Sequence, residues 1–527
     1  MHFKRIFDYM FYWADTLPMQ TALIYNGIKI TYRELRDNSL YFASALLEMG
    51  IRGGDTIAYM LDGCPEFFFM YFACSMLGVS LSGFHAKSPE LEIVGQISVI
   101  SPKIFIHDKS PTLKIPNEIV KTLPISQVDY SPKDTSNVEK IAATISEESV
   151  VFVVFTSGTT GMPKGALLTH RSILTAGLAQ VREFRAPYGL SPEDIIQHHV
   201  PINHVSGAVQ WGIIPLLSGS TLIIHKSFNP QSVLSNTEKY GATILTGVPA
   251  MWNMYFRLPN FKSFKLTSVR WCAIGAAPSN ESVIKKILDI CDICSNPLGM
   301  TETSGFCSGF GGKASLIDIA HTVGKIIPEL SYKIVDDSFN AVVSGSIGQL
   351  AYKGDSVIKK YINADLPVTP DGYFLSGDMA FEDTNKKVHL CGRKDDMFNI
   401  GGYNVYPAEI EKVILSYPFV NKAAVLPIPH STMGNVCRAY VVPEAQHEIN
   451  VNQLRDYAAN NLISYKVPRD IRICPSLPVT PLGKINKALL IKKLATSMRN
   501  DIILIRFNTT VIGTLPPQHW HGFAISA

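Results

Sequence analysis

The sequence predicts a mixed α/β protein, with a large N-terminal unit of mostly parallel sheets and helices followed by a small mobile α+β unit. From about residue 20 to about residue 390, β-type runs such as TLIIH, ATILTGV and SVRWCAIG alternate with helix-like segments such as ESVIKKILDI. This alternation is typical of parallel sheets. Between residues 392 and 402 the composition changes to GRKDDMFNIGG, a charged and glycine-rich stretch typical of a joint between domains.

We therefore expect a large domain over residues 1–393, a small domain over residues 394–497 and a tail over residues 498–527. In the large domain, the apolar residues 67–84 predict a buried helix that runs into a strand, because Pro65 and Glu66 precede them and Gly78 interrupts them. No transmembrane segment is expected. Residues 101–148 are more polar and turn-rich, which predicts a surface excursion before the buried strand VVFVVF.

The small domain has its own start and stop signals. In YPAEIEKVILSYP, Pro407 suits a first helical turn, Glu409 is favourable near the positive helix end, and Pro418 ends the segment. The runs KAAVLPI and RAYVVP predict strands, and NQLRDYAANNLI predicts a second helix. Together they give a compact α+β pattern.

Composition narrows the functional classes. The chain has 527 residues, with 48 basic and 44 acidic residues spread along it, so we expect no nucleic-acid partner. Nine cysteines at irregular spacing indicate free thiols in a reducing compartment, and we expect a cytoplasmic protein. Cys291 and Cys294 form one CxxC pair, but no second pair stands at zinc-site spacing.

A polar, glycine-rich stretch, TSGTTGMPKG, follows VVFVVF directly. Loops at the carboxyl ends of parallel strands hold ligands, and glycine, hydroxyl groups, free N–H groups and a lysine all favour an anion. The stretch therefore predicts a phosphate-holding loop. It departs from the Walker pattern, because proline precedes its lysine and glycine follows it. Its candidate ligand-binding residues are Thr156, Ser157, Gly158, Thr159, Thr160, Gly161 and Lys164.

Four further motifs follow in order: LGMTET, YFLSGD, GRKDDMFNIGGYNVYPAEIE and PVTPLGKINK. With TSGTTGMPKG they resemble the adenylate-forming superfamily of acyl-CoA synthetases, over about residues 20–495. The resemblance implies an acid–thiol ligase that uses ATP, Mg²⁺ and CoA. A carboxylic acid would first form acyl-AMP with release of pyrophosphate, and the thiol of CoA would then displace AMP.

The resemblance also implies roles for residues around the nucleotide. Glu302 matches the Mg²⁺-binding carboxylate and Thr301 a phosphate-contacting hydroxyl. Asp378 matches the aspartate that accepts hydrogen bonds from both ribose hydroxyls, and Arg393 matches a ribose-contacting arginine. Leu298 stands where the family usually has an adenine-stacking tyrosine, which puts ATP affinity in question. The remaining residues expected around adenine and the acyl group are Gly275, Ala276, Ala277, Gly299 and Met300.

Four further matches concern catalysis and domain motion. Lys484 matches the catalytic lysine of the first half-reaction, and His204 matches a gate beside the acyl pocket. Asp395 matches the hinge residue between the domains. After the first half-reaction, Lys484 is expected to leave the site while the turn containing Gly401 and Gly402 moves in to line the pantetheine tunnel.

The acyl group stays open at this stage. The stretch PINHVSGAVQWG has no aspartate to pair with a substrate ammonium, which favours an uncharged fatty or aryl acid over an amino acid. Trp211, Val248, Pro249 and Met300 are expected to shape the pocket. Alternatives are an acyl-AMP ligase that loads a carrier protein, a luciferase-like oxygenase, and a non-catalytic scaffold. In the tail, His519 and His521 have metal-ligand spacing but no companion cluster.

Overall fold

The computed structural model describes residues 3–86, 88–108, 120–156, 164–183, 189–275, 281–480 and 484–494. Within these ranges the α-helices are α1 Ile6–Thr16, α2 Tyr32–Glu48, α3 Pro65–Leu77, α4 Glu90–Ile100, α5 Ser136–Thr144, α6 His170–Glu183, α7 Ile214–Leu217, α8 Pro230–Tyr240, α9 Pro249–Phe256, α10 Glu281–Leu288, α11 Leu316–His321, α12 Pro407–Ser416 and α13 Val451–Asn461.

The strands up to residue 274 are β1 Thr21–Tyr25, β2 Ile28–Thr31, β3 Thr56–Met60, β4 Ser80–Gly83, β5 Ile104–His107, β6 Lys121–Pro124, β7 Val150–Thr156, β8 Lys164–Thr169, β9 Ile195–His198, β10 Thr221–Ile224, β11 Ile244–Gly247 and β12 Trp271–Ile274. The later strands are β13 Cys294–Ser295, β14 Ser308–Gly309, β15 Lys325–Ile326, β16 Ser331–Val335, β17 Gly348–Lys353, β18 Phe374–Glu382, β19 Val388–Arg393, β20 Phe398–Ile400, β21 Tyr403–Val405, β22 Val420–His430, β23 Gly434–Pro443 and β24 Asp470–Ile473.

Two large sheets carry the N-terminal part of the chain. One has the order β13-β12-β11-β9-β10-β1-β2 and the other the order β6-β5-β3-β4-β7-β8. All neighbours pair in parallel except β1 with β2 and β7 with β8. The predicted mostly parallel α/β fold is therefore confirmed. A four-stranded antiparallel sheet, β16-β17-β18-β19, follows before the small unit.

The small unit is built on a sheet of its own. Strands β22, β23 and β24 form it, and helices α12 and α13 pack against one another beside it. Val405, Ile410 and Ala439 are fully buried in a core that is separate from the cores of the two large sheets. The helix predicted from Pro407 is observed as α12, with Pro407 in its first turn and its last residue, Ser416, two residues before Pro418.

Helix α3 is the buried helix that the sequence predicts. Pro65 stands in its first turn, and Gly78 ends it with a φ of 67°. Every residue of α3 except Glu66 is buried, and β4 follows at once. Among the described helices, none combines the length and apolar character that crossing a membrane requires.

The prediction that residues 101–148 are a surface excursion was wrong. Ile104–His107 form β5, a completely buried strand inside the six-stranded sheet, and Lys121–Pro124 extend the same sheet as its edge strand. The apolar run IFIH has only four residues, and the polar residues on either side obscured it. A short buried strand between polar turns gives little periodic signal.

Candidate active site

The predicted phosphate loop connects two paired strands. Strand β7 ends at Thr156, and β8 begins at Lys164, which is the register partner of Thr156. Ser157, Gly158, Thr159, Thr160 and Gly161 lie outside the described residues. The Nζ atom of Lys164 lies 5.8 Å from the centroid of the Tyr361 ring. The structure thus places the loop lysine beside an aromatic residue that the sequence did not single out.

Tyr361 also holds the predicted magnesium ligand. Its hydroxyl donates a hydrogen bond of 2.8 Å to Oε1 of Glu302, whose residue is 9% exposed. Burial raises the pKa of the Tyr361 hydroxyl, and the Glu302 charge raises it further, so the hydroxyl remains a donor. Lys164 and Glu302 therefore meet at one side chain. Tyr361 lies in the stretch KKYINAD, which carries no motif and gave no signal in the sequence.

The LGMTET segment folds back tightly on the chain that follows it. The Leu298 carbonyl accepts hydrogen bonds from the amides of Cys307 and Ser308. A Cβ atom at Gly299 would lie 1.8 Å from the carbonyl oxygen of Gly305, so only glycine fits there. Gly305 itself has a φ of 106°. This close approach fixes Met300 and the short 3₁₀ helix Thr301–Thr303, in which Thr301 and Glu302 are buried.

Asp378 and Arg393 are brought together by strand register. They are direct partners across β18 and β19, and Nη1 of Arg393 donates to Oδ1 of Asp378 at 2.9 Å. The same nitrogen donates to the Ser376 carbonyl at 2.8 Å. A Cβ atom at Gly377 would lie 2.6 Å from Nη2 of Arg393, so the glycine of the SGD motif makes room for the guanidinium.

Burial and neighbouring charges shift the pKa values of Asp378 and Arg393 in opposite directions. Burial raises the pKa of Asp378, while Arg393 and Lys484 lower it. Burial lowers the pKa of Arg393, but the combined charges of Asp378, Asp395 and Glu302 raise it above its usual value. Arg393 therefore bonds to Asp378 and is near enough to Glu302 for the Glu302 charge to affect its pKa.

Lys484 lies near Asp378 and Arg393. Burial lowers its pKa, Asp378 raises it, and Arg393 lowers it again. The residue is still reached by solvent, yet enough protein surrounds the ammonium group to oppose its charge. Its backbone is held by Thr480, whose amide donates to the Lys484 carbonyl at 2.7 Å. The small unit therefore presents Lys484 to residues of the large unit.

His204 belongs to this group as well. Burial, with a further contribution from the charge of Lys484, lowers the pKa of His204 to about 4, so its imidazole is neutral at neutral pH. Its Nδ1 atom lies 3.0 Å from the Ser206 hydroxyl. A π-helix, Ser206–Ile213, starts directly after it, a feature often found at functional sites. Trp211 is buried in that π-helix.

Gly275 stands at the end of β12, where a Cβ atom would lie 3.7 Å from the Pro297 carbonyl oxygen. This places it next to the segment that leads into Leu298. Leu298 is half-buried and packs against the main core. Ala276 and Ala277 lie outside the described residues, whereas Val248 and Pro249 begin helix α9.

Asp395 and the Gly401–Gly402 turn lie at the start of the small unit. Asp395 is in the short 3₁₀ helix Lys394–Asp396, in which Lys394 bonds to Asp337 at 2.7 Å. Gly401 and Gly402 have φ values of 55° and 88° and form the exposed turn between β20 and β21. Among the described residues, no hydrogen bond or ion pair joins this turn to Asp378, Arg393 or Lys484.

The described residues contain no group of three or more His, Cys, Asp or Glu side chains arranged to hold a metal ion. His519 and His521 fall in the tail, outside the described residues. The Sγ atom of Cys291, the first residue of the CxxC pair, lies 3.4 Å from Sγ of Cys272. All nine cysteines are free thiols.

A single carboxylate beside anion-binding lysines still fits a magnesium ion that is shared with phosphate oxygens. Mg²⁺ is typically held by one or two carboxylates together with substrate phosphates. The Tyr361 hydroxyl donates a hydrogen bond to Oε1 of the Glu302 carboxylate, and no described residue donates a hydrogen bond to Oε2. The donor chemistry of Glu302 therefore suits such an ion.

The chain combines a large α/β unit with a small α+β unit, and both contribute lysine, arginine and carboxylate groups to the same region. This combination is typical of an adenylate-forming enzyme. The chain belongs to the AMP-binding enzyme family: the model of the AMP-binding enzyme matches residues 10–362, and that of its C-terminal domain matches residues 409–484. The predicted family is thereby confirmed.

Individual relatives agree with this assignment. A feruloyl-CoA synthase from Amycolatopsis sp is 30% identical over 486 residues, covering 90% of this chain and 96% of the relative. The 4-coumarate–CoA ligase 3 of Oryza sativa subsp. japonica is 25% identical over 497 residues, covering 90% and 89% of the two chains. The crystal structure of ATP-bound MatB from Rhodopseudomonas palustris matches with a TM-score of 0.80 at 25% identity, covering 93% of this chain and 98% of that one.

The predicted enzyme class is therefore confirmed: the protein is an AMP-forming acid–thiol ligase of the carboxylate–CoA ligase type. The predicted use of ATP, Mg²⁺ and CoA is confirmed with it. The roles of individual residues and the domain limits stay predictions, and they enter the proposal below.

Proposed function

We propose that the acid substrate is an aryl acid of the hydroxycinnamate type, which the enzyme converts to its CoA thioester. The relatives named for feruloyl and 4-coumaroyl substrates align over about nine-tenths of this chain. The neutral imidazole of His204 and the buried indole of Trp211 suit an uncharged aromatic group. The observation that carries the proposal is the hydrogen bond between Arg393 and Asp378, with Lys484 near enough for its charge to act on this pair and on His204.

In the first half-reaction, a carboxylate oxygen of the acid attacks the α-phosphorus of ATP and the bond to the β-phosphate breaks, so that pyrophosphate leaves. We assign Lys484 to neutralise charge on the carboxylate and the α-phosphate, since fixed charges are the main source of catalysis in phosphoryl chemistry. Lys164, with Thr156 and the loop residues up to Gly161, holds the remaining phosphates. Thr301 contacts the same group, and its buried position holds it still.

The nucleotide is oriented by the large unit. The Asp378 carboxylate accepts hydrogen bonds from the ribose hydroxyls. Arg393 holds that carboxylate in place and also donates a hydrogen bond to the ribose. Gly275, Leu298 and Met300 line adenine and the acyl group. Leucine replaces an aromatic ring at position 298, so the adenine contact here is apolar packing without stacking.

Glu302 is the residue that would hold the magnesium ion. When bound, the ion withdraws negative charge from the phosphate oxygens. Tyr361 keeps the Glu302 carboxylate oriented for this role through its 2.8 Å hydrogen bond.

The second half-reaction needs a different arrangement of the small unit. The thiol of CoA releases its proton to solvent and its sulfur attacks the acyl carbonyl carbon. The bond from that carbon to the AMP oxygen breaks, and AMP leaves with the electron pair. We assign Asp395 as the hinge of the rotation that withdraws Lys484 and brings the Gly401–Gly402 turn to the pantetheine tunnel. The domain division at residues 393 and 394 follows from this assignment, and the nine free thiols support a cytoplasmic location.

A pyrophosphate-release assay over a panel of acids tests the substrate class. The panel holds ferulate, 4-coumarate, unsubstituted cinnamate, benzoate, octanoate and malonate. We expect the highest kcat/KM with ferulate or 4-coumarate, and a higher value with octanoate or malonate would overturn the aryl assignment.

The acyl acceptor is tested separately. Purified enzyme with ATP and the preferred acid is given either CoA or a phosphopantetheinylated carrier protein. We expect thioester on CoA, whereas thioester on the carrier alone would identify a carrier-loading ligase. Oxygen uptake measured in the same reactions tests the oxygenase alternative.

A further inference from the structure

Three side chains from three helices form a hydrogen-bonded chain where the small unit meets the large one. Lys412 on α12 contacts His321 at the end of α11 through an Nζ–Nδ1 distance of 2.6 Å. Nε2 of the same imidazole lies 2.6 Å from Oε1 of Glu281, the first residue of α10. The chain thus runs from a lysine of the small unit to a carboxylate of the large unit.

Each end of this chain is anchored in its own core. Val283 and Ile284 of α10 and Ile319 of α11 are buried in one cluster of the large unit. Ile410 and Ile414, which flank Lys412 on α12, are fully buried in the core of the small unit. The three polar side chains therefore join two separately packed cores, next to the place where α12 packs against β19. A rotation that moves α12 away from α11 must stretch or break these bonds.

The two short distances determine which atom donates each hydrogen bond. A lysine ammonium can only donate, so Nδ1 of His321 must accept, and the ring proton must then lie on Nε2 and be donated to Glu281. A neutral imidazole in this tautomer connects a cation to an anion with both of its nitrogens used. Burial lowers the pKa of Lys412, and the Glu281 charge partly offsets that effect.

We propose that Glu281, His321 and Lys412 form an interdomain latch that holds the small unit in the orientation for adenylation. The proposal rests on the two-step function assigned above. The arrangement that closes the latch is also the one in which Lys484 is coupled to Asp378, Arg393 and His204. The rotation that withdraws Lys484 opens the latch, so the three residues bias the equilibrium toward the first half-reaction. They act as positioning residues, through the placement of Lys484.

Lys412→Met tests the latch by measuring the two half-reactions separately. We expect acid-dependent pyrophosphate release to fall about tenfold to 100-fold, the range for loss of one charge-assisted hydrogen bond. Thioester formation from supplied acyl-AMP should stay constant or rise, because this step uses the open arrangement. Lys422→Met makes the same change on β22 of the small unit and serves as the matched control, with neither rate expected to change.

Two variants of His321 separate hydrogen bonding from packing. In His321→Gln the amide can accept from Lys412 and donate to Glu281, so we expect pyrophosphate release to be retained. In His321→Leu neither bond forms, and we expect the same loss as in Lys412→Met. Equal rates in the two His321 variants, or an equal fall of both half-reactions in Lys412→Met, would overturn the latch.

Hydrogen exchange gives a readout that does not depend on activity. We expect Lys412→Met to increase amide exchange in peptides that cover α11 and α12, with no change in Lys422→Met. Unchanged exchange in both variants would contradict the latch even if the wild-type enzyme accepted none of the tested acids. If no acid of the panel supports pyrophosphate release but amide exchange is altered in Lys412→Met, the result would count against the proposed substrate alone.

Discussion

The large and small units contribute to the active site in different physical ways. In the large unit, Glu302, Asp378 and Arg393 are held by strand register, a 3₁₀ helix and hydrogen bonds of 2.8–2.9 Å to neighbouring side chains. In the small unit, Lys484 reaches the cleft from a short segment secured by Thr480. The proposed nucleotide-binding residues are thus pre-organised, whereas we propose that Lys484 is delivered by the orientation of the small unit.

This difference predicts which substitutions separate the two half-reactions. In the proposed mechanism, groups in the large unit contact the AMP moiety in both steps, so we expect their loss to affect both. Groups of the small unit belong to one orientation, so their loss affects one step.

Lys484→Ala has the largest expected effect on a single step. We expect acid-dependent pyrophosphate release to fall on the order of 10²- to 10³-fold, because a charge aimed at the reacting phosphate is lost. Thioester formation from supplied acyl-AMP should be comparatively intact. Lys493→Ala, an exposed lysine close in sequence, is the control. Equal loss of both activities would show that the lysine is not specific to one orientation.

Gly299→Ala tests the pre-organised half. The added methyl group would lie 1.8 Å from the Gly305 carbonyl oxygen, so the backbone around Thr301 and Glu302 must shift. We expect both half-reactions to fall on the order of 100-fold, since misplacement by about 1 Å has that effect. In the control Gly95→Ala on α4, nothing lies within 4 Å of the new Cβ atom, and stability should be kept or rise. Gly299→Ala with full activity would refute the tight approach.

Tyr361→Phe removes one hydroxyl and keeps the ring beside Lys164. We expect pyrophosphate release to fall about tenfold, with a higher Mg²⁺ concentration needed for half-maximal rate, because Glu302 loses its only described hydrogen-bond donor. A magnesium titration of the variant and of Tyr12→Phe on α1 checks this. An unchanged titration would assign Tyr361 to packing alone.

Acidic pH should lower the free energy of unfolding of the large unit, because this unit contains buried histidines. Burial lowers the pKa of His170 and His199 to about 3 and that of His225 to about 4, and also lowers the pKa of His198. Because the unfolded chain binds protons below about pH 6.5 and the folded chain does not, stability falls as the pH drops from about 6.5 toward 4.

The expected loss is on the order of 1 kcal/mol per histidine at about pH 5.5, measured by denaturant unfolding at pH 7.5 and 5.5. These four histidines lie in the large unit, so the small unit should lose less of its own stability. A constant free energy of unfolding of the large unit over this range would contradict the buried neutral state.

Much of the fold could be predicted from local sequence patterns. Helix α12 follows from proline at both ends and apolar spacing between them, and β7 follows from an unbroken apolar run. The four-residue strand β5 could not be predicted, because its burial comes from its neighbours in the sheet and its sequence is short.

The candidate site was predictable where a motif surrounds the residue. Lys484, Glu302 and Asp378 stand in motifs, and the structure places all three near enough to Arg393 for their charges to interact with it. Tyr361 and the latch residue His321 have no motif. Their partners lie 59 and 91 residues away in sequence, so only the packed structure reveals them.

The orientation of the small unit is tested most directly by a distance between two spin labels. Ile317 on α11 is 60% exposed and Ile463 in the small unit is 59% exposed, so both sites can carry a label. With ATP and acid we predict one dominant distance, matching this structure. With CoA and a stable acyl-AMP analogue we predict a second, clearly different distance. A single unchanged distance under both conditions would contradict delivery and withdrawal of Lys484 by domain rotation.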